Sequence, residues 1–284
     1  MNIRHALSAF TLLVFTICTG AAHAAEEFKG SWSILPSKEP GKVQFGLMYR
    51  THDSHSQHQS DWPVSAFQGL DLAPGAKRDV AFTISRDAGR FDCEGYLRNG
   101  EGAGTFRFMA NAGFAKAMED IGFPVEDDIG HYAMAVHDVT TAFAREMQAE
   151  KLENLDTDKL LALRIFDVTA QFIRELRAEG LPARDANKLI AFRVHGVTPA
   201  IVKDTRGAGL EVSEDMLIAF RVHGVSPEYI ATVERLGLGR PDANQLVAMR
   251  VHGVTPEFIS EMKSRGLRNL TVDQLINLRV HGIE

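Results

Sequence analysis

The chain has 284 residues, of which 45% are hydrophobic and 24% are charged, and it carries a formal net charge of −6. A chain of this length and composition can bury a sizeable hydrophobic core. The mild excess of acidic residues argues against nucleic acid or anionic lipid as the partner, because both attract basic surfaces.

The first residues have the pattern of a secretory signal peptide. Arg4 and His5 precede the apolar run 6–18, and the small residues at 22–24 are typical of a cleavage site. We therefore expect residues 1–24 to be removed and the mature protein to be periplasmic or secreted. The apolar run is too short to span a bilayer, and no later segment approaches twenty apolar residues, so the sequence predicts no transmembrane segment in the mature chain.

The two cysteines allow few roles. Cys18 lies at the end of the apolar run and would suit a lipid anchor, but Ile17 stands before it where a lipidation motif has a small residue. Removal of the signal peptide leaves only Cys93, so the mature chain cannot form an intramolecular disulfide. Cys93 alternates with Phe91, which predicts a thiol on the buried face of a strand, acting as a small hydrophobe rather than a nucleophile.

Residues 25–110 have the pattern of a small antiparallel β domain. Apolar and other residues alternate over 43–50, 80–84 and 91–93, and a period of two is typical of strands with one buried face. Turn residues lie at 87–90 and 99–102. A last strand, from Thr105 to Met109, leads directly into the helical region.

A histidine-rich stretch interrupts this domain. His52, His55 and His58 lie close to Asp53 and Asp61, and such side chains can bind Zn²⁺ or Cu²⁺. Spacing by three does not place side chains on one face of a strand, and the stretch lacks apolar periodicity, so we interpret it as a mobile polar loop. A metal-handling role of this loop is the alternative.

Three glycines give a weak resemblance to a phosphate-binding loop. Gly100, Gly102 and Gly104 alternate with other residues, but such a loop needs a helix whose first amides face the phosphate. The residues that follow have a strand pattern instead. Nucleotide binding is therefore not expected.

The second half of the chain repeats one unit. The string RVHGV occurs at Arg193, Arg221 and Arg250 and returns as RVHGI at Arg279, a spacing of 28 or 29 residues. A unit this short cannot bury its apolar face alone, so neighbouring units must stack. The pattern predicts an elongated surface rather than a closed pocket.

Two columns of side chains at this spacing predict the helix starts. Each column contains only Asn, Asp, Ser or Thr, whose side-chain oxygens accept the free amide hydrogens at a helix N-terminus. The first column is Asn111, Thr140, Thr169, Thr198, Ser226 and Thr255. The second column is Asp127, Asp156, Asp185, Ser213, Asp242 and Thr271. Residues 111–284 therefore form six two-helix repeats of about 29 residues, and we expect them to stack as an α-solenoid.

Glycines predict where the helices end. The column eleven residues after the first cap is mostly glycine, which takes the left-handed conformation of a helix C-terminus. Its members are Gly122, Lys151, Gly180, Gly209, Gly237 and Gly266. The second helices end at His-Gly in four copies, so Gly196, Gly224 and Gly253 are also expected to be left-handed.

The repeated arginines and histidines could be structural or could bind a ligand. The histidines lie at helix C-termini, where a cation is favourable, and the arginines stand two residues earlier. These residues are His195, His223, His252 and His281, and Arg164, Arg193, Arg221, Arg250 and Arg279. An acidic column of the first helices could pair with the arginines and set the repeat register. It consists of Glu146, Glu175, Asp204 and Glu261. The alternative is that the arginines bind a partner; the candidate binding residues are then Arg193, Arg221, Arg250 and Arg279.

The repeats also carry a family resemblance. Units of the form LIAFRVHGVTP resemble the helical repeats in the extracytoplasmic C-terminal regions of bacterial antirepressor metallopeptidases of the beta-lactam-sensor type, and in secreted relatives of those regions. The resemblance covers residues 80–284, including FDCEGYLRNGEGAGTFRF. That family's zinc peptidase part is embedded in the membrane and has an HExxH helix. This sequence contains no HExxH motif, so no catalytic residue is transferred, and the resemblance implies an envelope protein in sensing or partner binding.

The sequence thus predicts an α+β protein without catalytic residues or a cofactor. The sequence does not place a nucleophile, a base and an orienting group close together. We expect a non-enzymatic binding or sensor module that presents a helical-repeat surface to a protein or peptide partner in the bacterial envelope. The alternative is a metal-handling periplasmic protein that uses His52, His55 and His58.

Overall fold

A computed structural model describes residues 28–50, 55–267 and 269–282. The predicted signal peptide 1–24, His52 and Glu284 lie outside the described residues, and of His55 only the backbone is described. In the described ranges the architecture is α+β, with a six-stranded antiparallel sheet followed by twelve α-helices. Within the same ranges no helix is long and apolar enough to cross a bilayer.

The sheet has the strand order β3-β2-β1-β6-β5-β4, and every neighbouring pair is antiparallel. The predicted strands lie within β2, β4, β5 and β6, and the Asn99-Gly100 turn has two positive φ angles, as tight hairpins favour. After β3, Gln68 forms a bridge with Thr83 of β4, so the two edges of the sheet approach each other. The strands are β1 (Phe28–Pro36), β2 (Lys42–Arg50), β3 (His55–Pro63), β4 (Arg78–Arg86), β5 (Gly89–Arg98) and β6 (Glu101–Ala110).

Large apolar side chains fill the inner side of this sheet. Phe45, Ile84 and Phe91 are fully buried, and Cys93 is buried among them, as its alternation predicted. Burial raises the pKa of the Cys93 thiol, so it has little thiolate character at neutral pH. The glycine-rich segment is a strand rather than a phosphate loop: a Cβ on Gly104 would clash with the carbonyl of Glu94 on β5.

The interpretation of the histidine-rich stretch as a mobile loop is wrong for residues 55–63, which form β3. As an edge strand β3 pairs only with β2, through main-chain hydrogen bonds that need no apolar alternation. Trp62 is buried on the inner side, while the neighbouring Gln59 and Asp61 are exposed. A single large apolar side chain is therefore enough to anchor a strand that is otherwise polar.

The helices begin at the predicted caps. All twelve residues of the two cap columns are N-caps whose side chains accept an amide hydrogen of the first turn. Each repeat contributes a first helix with an odd number and a second helix with an even number. The first helices are α1 (Ala112–Asp120), α3 (Thr141–Ala149), α5 (Ala170–Ala178), α7 (Pro199–Gly207), α9 (Pro227–Val233) and α11 (Pro256–Ser264). The second helices are α2 (Asp128–Val136), α4 (Thr157–Ile165), α6 (Ala186–His195), α8 (Glu214–His223), α10 (Ala243–Val251) and α12 (Val272–Val280).

The predicted left-handed residues are also confirmed. Gly196, Gly224 and Gly253 have φ angles of 69°, 71° and 70°. In the first two repeats the same position holds Asp138 and Asp167, which are left-handed as well. The first helices end at the predicted column, including Lys151 at φ 52°.

Packing connects helices with their counterparts in neighbouring repeats. The second helices α4, α6, α8, α10 and α12 contact one another in succession, and α5 contacts α7 while α9 contacts α11. The buried side chains of the sheet and of the helices form one continuous hydrophobic cluster. Helices of about ten residues are marginal alone, so this packing supplies their stability.

Candidate protein-docking face

In four of the second helices, α4, α8, α10 and α12, an arginine binds the C-terminal end of the preceding second helix. The last carbonyls of a helix lack partners inside the helix, and a cation there is favoured by the helix dipole. The Nε donors and carbonyl acceptors are Arg164 to His137 (3.2 Å), Arg221 to His195 (3.1 Å), Arg250 to His223 (3.1 Å) and Arg279 to Gly253 (3.0 Å). We call this series the arginine ladder. It joins the second helix of the first repeat to that of the second, and it joins the second helices of the third to sixth repeats in succession.

Aromatic rings of the first helices support the same arginines. A guanidinium over an aromatic face is attracted by the ring and is held in one orientation. The distances from the guanidinium carbon to the ring centre are 5.5 Å for Arg164 and Phe143, 4.0 Å for Arg193 and Phe172, 4.9 Å for Arg250 and Tyr229, and 4.6 Å for Arg279 and Phe258. At Arg221 the corresponding residue is Ile201, and the Arg221 side chain is exposed.

The predicted pairing of these arginines with the acidic column is wrong. Glu146, Glu175, Asp204 and Glu261 all lie exposed on the first helices. Four of the five arginines use main-chain carbonyls instead, whereas Nε of Arg193 is buried without a hydrogen-bond partner among the described residues, and only the early repeats add a carboxylate. Arg164 lies 3.2 Å from Asp138 and Arg193 lies 3.5 Å from Asp167, at the position that glycine occupies in later repeats.

A second ladder joins the first helices and was missed by the sequence analysis. A side chain eight residues after the first cap donates to a terminal carbonyl of the preceding first helix. The pairs are Gln148 to Ile121 (2.8 Å), Arg177 to Glu150 (2.9 Å), Arg206 to Glu179, and Lys263 to Leu236. The fifth repeat has Glu234 there, which pairs with Arg240 at 2.8 Å. The signal in the sequence was a long donor side chain at this spacing.

The outer side of the second helices carries a column of exposed aliphatic side chains. Each member stands directly after the ladder arginine and is about half exposed. The members are Ile165 (46%), Val194 (53%), Val222 (53%), Val251 (54%) and Val280 (58%). We call this set the apolar column. Beside it, one turn earlier on each helix, lie the partly buried Leu161, Ile190, Ile218, Val247 and Ile276.

This distribution makes the second helices apolar on both sides. Their inner side packs into the core through residues such as Leu189 and Phe192, which are fully buried. A surface helix normally has one apolar and one polar side, and a helix that is apolar all round is covered. An exposed aliphatic strip of this kind is a candidate interaction surface.

In the first repeat the chain itself covers the same place. Val136 occupies the position of the apolar column in α2 and is only 6% exposed, and Tyr132, one turn earlier, is 3% exposed. Tyr132 packs against aromatic rings of β1, β2, β5 and β6. Its ring-centre distances are 4.8 Å to Phe28, 4.9 Å to Tyr49, 5.8 Å to Phe91, 6.0 Å to Phe106 and 5.8 Å to Phe108. In the first repeat the outer side of the second helix, α2, is therefore covered by the sheet.

Two imidazoles meet at this junction. The ring of His58 on β3 lies 4.8 Å from the ring of His137, which stands in the histidine column of the repeats. Burial lowers the pKa of both, and for His137 it lowers the pKa to about 4, with the charge of His58 adding to the effect. Both rings are thus neutral at physiological pH. The later members of the column, His195, His223, His252 and His281, are exposed.

The described residues do not form the other predicted kinds of site. Within the described ranges no group of three or more His, Cys, Asp or Glu side chains could hold a metal ion. His58 meets a second histidine and the Ser60 hydroxyl at 2.8 Å, rather than a full ligand set. A cleft of about 910 Å³ between the ends of α3 and α5 contains Glu150, whose carboxylate already pairs with Arg174 and Arg177.

The fold and this face define an α+β protein whose second helices expose an aliphatic strip. Comparison with known proteins finds no matching family model, no matching curated protein and no matching solved structure. Function is therefore argued from the geometry of the described residues.

Proposed function

We propose that this chain is a non-enzymatic interaction module of the bacterial envelope. In this proposal the six two-helix repeats stack as an α-solenoid, and the apolar column binds a protein or peptide partner. The succession of contacts between equivalent helices supports the stacking. The observation that carries the proposal is the exposure of the apolar column on helices whose inner side is already buried.

The arginines then support the docking face rather than form it. Arg221, Arg250 and Arg279 each use Nε to bind a carbonyl of the preceding repeat, which holds the second helices in register. Arg193 is held over Phe172 and beside Asp167. The aliphatic side chains are about half exposed and are therefore available to a partner, while Arg221, which is exposed as well, already binds a carbonyl through Nε.

Capture from envelope extract tests this function. The immobilised protein should retain a partner that the triple variant Val194→Ser, Val222→Ser, Val251→Ser does not retain. The substituted side chains are half exposed, so the thermal melt should change little. The matched control is Gln171→Ser, Lys203→Ser on exposed positions of the first helices, which should bind like wild type. Capture that survives the valine changes but is lost with Arg193→Ala, Arg221→Ala, Arg250→Ala at an unchanged melt would place the site on the arginines.

Metal handling is the second proposal, and the contact between His58 and His137 is the observation that favours it. Imidazole nitrogens are good ligands for Zn²⁺ and Cu²⁺. Calorimetric titration with each ion tests it, with His58→Ala as the variant and Lys203→Ala as the control. Stoichiometric binding that disappears with His58→Ala would support this role, and absence of binding heat would remove it.

A further inference from the structure

We propose that strand β3 pairs with β3 of a second copy of this chain, so that two six-stranded sheets join at their edges. The two strands run antiparallel about a two-fold axis at Gln59. This interface goes beyond the proposed function, because it lies on the sheet and does not involve the apolar column. The main-chain direction of β3, its lack of edge protection and its outward side chains support it.

Every second residue of β3 directs its main chain away from β2. In an antiparallel pair, residues that exchange hydrogen bonds alternate with residues whose N–H and carbonyl groups point outward. The amide of Val64 donates to the carbonyl of Gly41 at 3.0 Å, and this pair continues the register of β3 on β2. Even-numbered residues of β3 therefore bond to β2, and Gln57, Gln59 and Asp61 present their N–H and carbonyl groups at the free edge. Among the described residues these groups have no main-chain partner.

The free edge of β3 lacks the features that usually protect an edge strand. Natural sheets shield such edges with lysines, bulges, short strands or a covering element. Strand β3 has nine residues and matches β2 one for one without a bulge. It contains no lysine or arginine, and its only proline, Pro63, is its last residue. Among the described elements only β2 runs along it, and the bridge toward β4 is made by Gln68, beyond the end of β3.

The outward side chains favour a second copy with Gln59 at the two-fold axis. Gln57, Gln59 and Asp61 are exposed on the outer side. In this register Gln57 lies opposite Asp61 of the second copy, so an amide donor meets a carboxylate on each side of the axis. The two Asp61 residues are then about 14 Å apart along the strands, beyond the screening length of about 8 Å in physiological salt. Centring on Asp61 would oppose the two carboxylates, and centring on His58 would bring four imidazoles together, since each His58 already lies against His137.

Sedimentation velocity over a concentration series tests the inference on the full chain. Wild type should show an equilibrium between monomer and dimer. Gln59→Pro removes an amide that faces the free edge but no hydrogen bond to β2, and proline is tolerated at such positions. It should raise the dissociation constant of the dimer about tenfold or more, because the two central hydrogen bonds are lost. Gln59→Thr keeps the amide, is the matched control and should leave the constant within about threefold.

A change of charge at Gln57 tests the register without altering the main chain. Gln57→Lys should lower the dissociation constant about fivefold, because each lysine meets Asp61 of the second copy, and Gln57→Glu should raise it about fivefold. Gln171→Lys and Gln171→Glu, at an exposed position of α5, make the same changes of net charge. These controls should leave the constant within about twofold.

Three results would overturn the inference. These are a chain that stays monomeric at every concentration, a dimer that persists in folded Gln59→Pro, and equal effects of the two charges at Gln57. A dimer that persists in Gln59→Pro but is lost in the triple variant Val194→Ser, Val222→Ser, Val251→Ser would place the contact on the apolar column instead. Gln59→Pro should still retain the partner captured from extract, so this inference and the proposed function can fail separately.

Discussion

At the scale of single residues, Tyr132 joins the sheet to the helices. Its ring lies between aromatic side chains of several strands, and it is 3% exposed. Its hydroxyl is buried and has no hydrogen-bond partner among the described residues, and burial raises its pKa. The ring therefore stabilises the junction, while the hydroxyl weakens it.

Two substitutions at Tyr132 separate these contributions. We expect Tyr132→Phe to leave the free energy of unfolding unchanged or slightly higher, because it removes an unpaired polar atom. Tyr132→Ala should lower it by about 3–5 kcal/mol, because it leaves a cavity between sheet and helix. Urea denaturation of both variants measures the difference. A clear loss of stability in Tyr132→Phe would show that the hydroxyl has a partner, such as an ordered water.

Ile201 is the second informative residue, because it stands where the other ladder arginines have an aromatic support. Arg250 stacks over Tyr229 at 4.9 Å, whereas Arg221 beside Ile201 is exposed. We expect Ile201→Phe to raise the free energy of unfolding by about 0.5–1 kcal/mol by supplying the missing ring. The same change made in an Arg221→Ala background should give no gain, and calorimetry of the cycle measures the coupling. An equal gain in both backgrounds would mean that the phenylalanine acts only through burial.

At the scale of elements, the second helices end in a left-handed residue beside the next ladder arginine. At Gly224 φ is 71°, and a Cβ would lie 2.8 Å from Nη2 of Arg250. At Gly253 φ is 70°, but a Cβ would lie 3.8 Å from Arg279. The two positions thus share the backbone conformation and differ in the space around it.

This difference gives a paired prediction. Gly253→Ala should cost about 1 kcal/mol, because only the left-handed backbone is disfavoured for alanine. Gly224→Ala should cost more, since the new methyl displaces Arg250 from its acceptor on α8. Thermal unfolding of the two variants measures the gap. Equal losses would show that Arg250 moves aside freely, and unchanged melts would mean that these helices can end in another geometry.

At the scale of the whole molecule, sheet and repeats share one core, and two half-buried imidazoles meet at their junction. Burial lowers the pKa of His58 and His137, so the folded protein binds protons there more weakly than the unfolded chain. The contribution of these two neutral rings to the free energy of unfolding is therefore complete above the ordinary histidine pKa of 6.5. It decreases as the pH drops from there toward about 4. We expect the melting temperature to fall between about pH 7 and about pH 5.

The repeat pattern supplies a matched variant for this test. The second repeat has Phe166 where the first has His137, so His137→Phe keeps an aromatic ring and removes the titrating group. We expect this variant to lose much of the decrease in melting temperature over that pH range. His195→Phe, on an exposed helix end, is the control and should melt with the wild-type dependence. A His137→Phe variant with the full decrease would assign the effect to other groups.

The sequence by itself determined the helices. Caps such as Thr198 and Asp185, and ends such as Gly196, depend on a few neighbouring residues, and the 28- or 29-residue spacing repeats that local chemistry. Four strands were predicted where apolar residues alternate in the sequence. Strand β1 was not predicted, and β3 was missed because it is an edge strand held by main-chain pairing and one buried Trp62, which give no apolar period of two in the sequence.

Only the tertiary structure decided which groups join one repeat to the next. Arg221 and Val222 are adjacent in the string RVHG, which is identical in the last four repeats. The sequence does not show which of the two side chains contacts the neighbouring repeat. Packing against the preceding repeat brings Nε of Arg221 to the carbonyl of His195, whereas the exposed side chain of Val222 makes no such hydrogen bond. The meeting of His58 with His137 is likewise a contact between residues far apart in the chain. Such contacts depend on the relative placement of whole elements, which local patterns do not encode.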